Sequence, residues 1–147
     1  MTRHRRTPLT IGIGIAAAVL VGGGIAAAMT LNGKDSAPSD AKRIETTLRD
    51  FYATLSTGGA SQAVGQTCAG DRAQYQGLPE AQRKAMDQGK VSMKVDSVEG
   101  VTVTGDRATA VTLGTLSLPG AADSQRSTNE HLRKEDGVWK VCSTDAK

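Results

Sequence analysis

The chain has 147 residues, with 18 Lys and Arg against 15 Asp and Glu. Three of the basic residues (Arg3, Arg5, Arg6) precede residue 34 and no acidic residue does, so from Lys34 onward the balance is 15 against 15. A nucleic-acid binder needs excess positive charge on its folded part, and none is expected to bind here. With two cysteines outside any C-x-x-C and two histidines, His4 and His131, far apart in the chain, no zinc cluster is expected either, and no cofactor motif is present.

Residues 1–8 form a basic stub, the sign expected of a cytoplasmic end. Residues 9–31 are mostly Leu, Ile, Val, Ala and Gly, and Thr7 to Gly33 carries no charge. A helix over that run would be roughly 35 Å long, enough for a bilayer core of about 30 Å. The run reads either as an uncleaved transmembrane anchor or as a secretory signal. In the second case Leu9–Val21 is the apolar core, Gly22–Gly24 breaks the helix, and cleavage follows Ala28. Both readings place the rest outside the cytoplasm, tethered to the cell membrane as a single-pass protein or secreted. Residues 32–40 (NGKDSAPSD) are a linker, and 41–147 are one extracytoplasmic domain.

Ser39 or Asp40 is positioned to cap a first helix, in which Ile44, Leu48, Phe51, Tyr52 and Leu55 make one apolar stripe. Gly58-Gly59 should end it. Ala60 to Ala69 reads as a short second helix, and Leu78-Pro79-Glu80 opens a third that stops by Gly89. The period then changes. Val91, Met93 and Val95 alternate as in a half-buried strand, while Val98, Val101 and Val103 slip phase, which predicts a bulge near Glu99-Gly100. Gly105-Asp106 makes a turn into a second strand, Ala108 to Leu118. A loop from Pro119-Gly120 to Ser124 precedes a third strand, Ser127 to Lys134. Asp136-Gly137 signals a hairpin into a last strand, Val138 to Cys142, with Trp139 and Val141 on one face and Val138 and Cys142 on the other. Helices followed by bent strands predict an α+β roll, a curved antiparallel sheet with about three helices in its concave face.

Three segments, Phe51-Tyr52-Ala53-Thr54-Leu55-Ser56-Thr57-Gly58, Val103-Thr104-Gly105-Asp106-Arg107-Ala108-Thr109 and Glu135-Asp136-Gly137-Val138-Trp139-Lys140-Val141, follow one another in an order that resembles the nuclear transport factor 2-like superfamily. The chain is similar to small actinobacterial extracytoplasmic members with one N-terminal membrane helix, including proteins associated with mammalian-cell-entry transport systems and related secreted antigens. The resemblance spans roughly Ala41 to Cys142 and implies a cone-shaped, cystatin-like roll with a pocket. Such domains commonly carry an acidic residue after the first helix's Gly, where this chain has Gly59. The superfamily holds enzymes, ligand binders and assembly modules, so the fold does not choose among them.

Cys68 and Cys142 are the expected disulfide in an oxidising compartment, the alternatives being two buried thiols or a metal pair without further ligands. His131 reads as a surface residue, because adjacent strand residues face opposite sides and Glu130 cannot orient it as a base. Tyr52 and Tyr75 are the other candidate pocket residues, Tyr52 also fitting the helix core. Asp96 reads as an outward strand residue and Asp106 as a turn former. The expectation is a non-catalytic domain that binds a partner protein or an apolar ligand at the cell envelope, as an accessory to a transport system. The alternative is a small isomerase- or cyclase-like enzyme, to be recognised by a pocket with a buried carboxylate opposite a Tyr or His.

Overall fold

The computed structural model describes residues 38–89 and 91–146; the basic stub, the apolar run 9–31 and most of the linker lie outside them. Among the described residues no helix is long and apolar enough to cross a membrane. The elements run α1 (Asp40–Ala63), a 3₁₀ turn (Val64–Gln66), α2 (Ala69–Gln76), α3 (Glu80–Gln88), β1 (Ser92–Thr104), β2 (Arg107–Ser117), β3 (Ser124–Glu135), β4 (Val138–Val141) and a closing 3₁₀ turn (Ser143–Ala146).

Ser39 caps α1, its hydroxyl accepting from the Lys42 amide at 3.3 Å. On the expected stripe, Ile44 and Leu48 are fully buried. Gly58-Gly59 does interrupt the helix, but as a kink: Gly59 takes φ 75° and ψ −176°, and the chain then resumes helical geometry to Ala63. Only glycine adopts that conformation readily. The restarted turn needs an acceptor for its free amides, and Asp87 at the end of α3 supplies one, taking the Ser61 N–H at 2.8 Å. The carboxylate that serves this kink thus arrives from a distant helix.

The second helix expected over Ala60 to Ala69 is not continuous. The chain is extended at Thr67 and Cys68, because this segment pairs with the edge of β4. Thr67 forms a parallel bridge with Val141, and the Cys68 amide donates to the Val141 carbonyl at 2.8 Å. A new helix, α2, then begins at Ala69. It has no buried residue, so it left no apolar stripe to read.

The four strands form an antiparallel meander in the order β1-β2-β3-β4. β1 shifts register twice against β2, between Val95 and Ser97 and between Glu99 and Thr102. The second bulge is the expected one, with Gly100 at φ 59°; the first, at Asp96, falls at the odd step from Val95 to Val98 in the apolar pattern. The two together turn Val98 and Val101 back onto the core. At Gly114 the β1 backbone approaches so closely that a Cβ would lie 2.4 Å from the Lys94 carbonyl oxygen. β3 begins earlier than expected, at Ser124.

On β4, Trp139 and Val141 face inward as expected and Val138 is exposed. Cys142, expected beside Val138, is instead fully buried, because the chain leaves the strand there and turns toward Cys68. Helix α1 lies across the concave face on a core of Ile44, Leu48, Ala108, Ala110, Leu132, Trp139 and Val141. Small alanines on β2 let the helix sit close to the sheet.

Candidate functional site

Beneath α1, a polar group replaces the apolar core. Glu130 on β3 points inward and is 6% exposed. The Tyr52 hydroxyl, descending from α1, donates to its Oε1 at 2.5 Å. Thr112 on β2 is fully buried on the same face, and its hydroxyl has no hydrogen-bond partner of good geometry. The register sets Thr112 opposite Thr128 and Ala110 opposite Glu130, so Thr112 and Glu130 are diagonal neighbours.

Burial pushes the Glu130 carboxyl above its ordinary value, and the Tyr52 hydrogen bond only partly offsets this. Burial, and then the adjoining Glu130, push the Tyr52 phenol well above its own. A carboxyl that keeps its proton to higher pH beside a neutral phenol has the composition for proton transfer next to a carbonyl group. Proton transfer also requires a reacting atom within hydrogen-bond reach.

Among the described residues, two clefts open to solvent stand out, and neither is lined by this pair. The larger, roughly 370 Å³, runs between α1 and β1, with Ala53, Met93 and Val95 among its walls and Arg49, Ser56 and Lys94 around them. Arg49 donates to the Val95 carbonyl at 2.9 Å and to Glu45 at 3.0 Å, and the Ser56 hydroxyl accepts from the Met93 amide at 3.3 Å. Side chains of α1 thus occupy the outer edge of β1 where another strand would otherwise pair. The smaller cleft, roughly 130 Å³, lies on the opposite sheet face and includes Thr109, His131 and Asp145.

Of the candidate residues, Tyr52 belongs to the buried pair. His131 lines the smaller cleft on the other side of the sheet from it, and Tyr75 on α2 lines neither cleft. Sequence reasoning set Glu130 aside as a partner for His131. The alternation that turns His131 outward also turns Glu130 inward, and that was the available signal. Asp96 lies at the first bulge and accepts from Thr115 at 3.3 Å, and Asp106 sits in the β1–β2 turn.

Cys68 and Cys142 are bonded, with sulfurs 2.11 Å and Cα atoms 5.1 Å apart, and both are fully buried. Next to them the Asp71 carboxylate accepts from the Ser143 amide and hydroxyl, each at 2.8 Å, and from the Thr144 amide at 2.9 Å. Burial alone would raise the Asp71 carboxyl, but these donors together outweigh it and hold it below its ordinary value. The donor atoms of Cys68, Asp71 and Cys142 lie within 4.8 Å of one another. They do not fit a metal, since the sulfurs are bonded to each other and the carboxylate oxygens are already engaged.

No protein-family model matches the chain, and no curated protein matches it. Among solved structures it is similar to an Ntf2-like protein involved in plasmid conjugation, at 15% identity and a TM-score of 0.49, over 75% of this chain and 40% of that one. It is also similar to a SEC-C motif-containing protein from Rhodopseudomonas palustris, at 16% identity and a TM-score of 0.50, over 66% and 73% of the two chains. The chain therefore spans well under two thirds of the conjugation protein. At such identities a likeness speaks to fold alone, and the fold is an α+β roll of three helices on a four-stranded antiparallel sheet.

Proposed function

We propose that this chain is a non-catalytic extracytoplasmic binding module. Residues 9–31 hold it to the cell membrane or direct its secretion, and it is allied to small actinobacterial members of the nuclear transport factor 2-like superfamily. It takes an apolar ligand, or an apolar segment of an envelope partner, in the cleft between α1 and β1, and serves as an accessory to transport across the envelope.

The observation that carries this reading is the composition of that cleft. Its walls include Ala53, Met93 and Val95, while Lys94 makes no ion pair among the described residues. An apolar body with an anionic head matches both features. The buried Cys68–Cys142 bond supports an oxidising compartment and hence export.

A fluorescent long-chain carboxylate should bind the full chain. Ala53→Trp should abolish that binding by filling the cleft, and Lys94→Glu should weaken it several-fold. No binding to the unmodified protein would remove the ligand assignment. A reporter enzyme that works only after export, fused behind Lys147, should be active; an inactive fusion would remove the topology.

The Tyr52–Glu130 pair favours a second reading, an isomerase- or cyclase-like enzyme. Turnover of an enolisable ketone, lost in a folded Glu130→Gln variant, would move the assignment there.

A further inference from the structure

The outer face of the sheet carries a row of like charges. The register sets Arg107 of β2 opposite Arg133 of β3, and Arg133 opposite Lys140 of β4. Their strand neighbours Ala108, Leu132, Trp139 and Val141 lie in the core, so all three cations turn outward. Adjacent strands are about 4.8 Å apart, and like charges directly opposite each other destabilise a sheet. One carboxylate offsets this. Asp145, in the closing turn, accepts from the Arg133 Nε at 3.0 Å and from its Nη2, so both of its oxygens are engaged. Asp106 and Glu135 also lie near Arg133. Glu135, however, is held by the Ala69 amide and Arg72. Arg107 and Lys140 make no ion pair among the described residues.

The next row on the same face supplies further donors. Two residues along each strand, Thr102 stands opposite Thr109 and Thr109 opposite His131. The smaller cleft lies over both rows, lined by these three together with Thr104, Arg107 and Asp145. Its volume is roughly 130 Å³. That leaves room for several waters, but it is well below the roughly 300 Å³ at which pockets for larger organic ligands begin. The cleft suits one small polar group.

We propose that this outer-face cleft binds a phosphate group, held by the Arg107 guanidinium, the His131 ring and the hydroxyls of Thr102, Thr104 and Thr109. The unbalanced row of cations calls for an anion, and the donors choose among anions. They come from three strands and outnumber what the two coplanar oxygens of a carboxylate can take, whereas a phosphate offers acceptors in tetrahedral directions. The guanidinium fork matches two phosphate oxygens at once. Asp145 does not oppose this, because Arg133 already balances its charge. The site lies on the opposite sheet face from the cleft between α1 and β1 and is independent of any ligand there.

The full chain, held in neutral-detergent micelles with its histidine rings labelled for NMR, is titrated with sodium phosphate at constant pH and ionic strength. The His131 ring signals should shift and saturate, and sodium acetate over the same range should not saturate them. Arg107→Gln should weaken phosphate binding about tenfold or more, the loss of one charge-assisted bond. Thr109→Val should weaken it several-fold, while Lys140→Gln, in the same row but outside the cleft, should change it little. Glycerophosphoglycerol, the headgroup of an anionic lipid without its tails, separates two sources of the phosphate. Tighter binding than inorganic phosphate assigns a headgroup, and weaker binding assigns free phosphate. A shift that never saturates, or equal saturation by acetate, overturns the proposal. So does binding unchanged in Arg107→Gln, or an equal loss in Arg107→Gln and Lys140→Gln, which would mean general attraction to the basic face.

Discussion

Asp87, in the last turn of α3, caps a helical restart whose first free amide belongs to Ser61, 26 residues earlier in the chain. The bond links α3, which buries none of its own residues, to the kink in α1. Asp87→Ala should lower stability by about 1 kcal/mol, as for other lost caps. Gly59→Ala should do more, about 1–3 kcal/mol, since it forces a side chain into a backbone region reserved for glycine. It would also bring a Cβ to 2.7 Å from the Asp87 carboxylate. Urea unfolding of the two variants should preserve this order.

Glu130 should make the protein less stable as pH rises. Its carboxyl is raised in the folded state by burial. Below about pH 4 it is protonated both folded and unfolded, and the burial carries no ionisation penalty. Above that, the unfolded chain ionises first, so stability falls until the folded-state carboxyl also titrates. Glu130→Gln keeps an acceptor for the Tyr52 hydroxyl and should flatten this part of the curve. It should match the parent in acid and exceed it at neutral pH. Tyr52→Phe removes a bond that favours the ionised form, and should carry the fall to higher pH.

Asp40 should behave with the opposite sign. It accepts from the Trp139 indole at 3.0 Å and from Lys134 at 3.1 Å, and these bonds, Trp139's the stronger, hold its carboxyl below the ordinary value. Its contribution is therefore present above the unfolded pKa and is lost as pH falls below about 4. In an NMR titration the Asp40 midpoint should move up in both Trp139→Phe and Lys134→Met. An unchanged midpoint in either variant would remove that residue as a cause.

Much of the sheet was legible because its turns are governed by local chemistry. Asp136 and Gly137 both adopt positive φ, at 50° and 78°, as a two-residue hairpin of this kind requires. Gly105 likewise takes φ 62° between paired Thr104 and Arg107. What escaped the sequence depends on partners far along the chain. Thr67 and Cys68 are extended because Val141 lies beside them, and neighbouring residues carry no trace of that. The start of β3 is invisible in the sequence because its first residues are polar and mostly exposed and show no apolar alternation. Glu130 escapes for a different reason: a carboxylate in a core contradicts the composition rule by which cores are recognised, and only its position relative to Leu132 betrays it.

Replacing Cys68 and Cys142 with Ser should lower stability by about 2–4 kcal/mol while leaving the sheet in outline. The oxidised protein should weigh two hydrogens less than the reduced one and show no free thiol after denaturation. Free thiol in the native protein would contradict the bond.

The position of that bond also decides how the domain would answer a mechanical load. Cys68–Cys142 encloses α2, α3 and all four strands, and leaves α1 outside. A pull between residue 38 and the C-terminal turn would pass through the sulfurs and bypass the enclosed chain. Only α1 and its adjoining turn could be drawn out, to about 100 Å at most. The covalent circuit would therefore arrest unravelling at Cys68. Whatever load reaches the domain from that end therefore falls on the packing of α1 over the Glu130 side of the sheet.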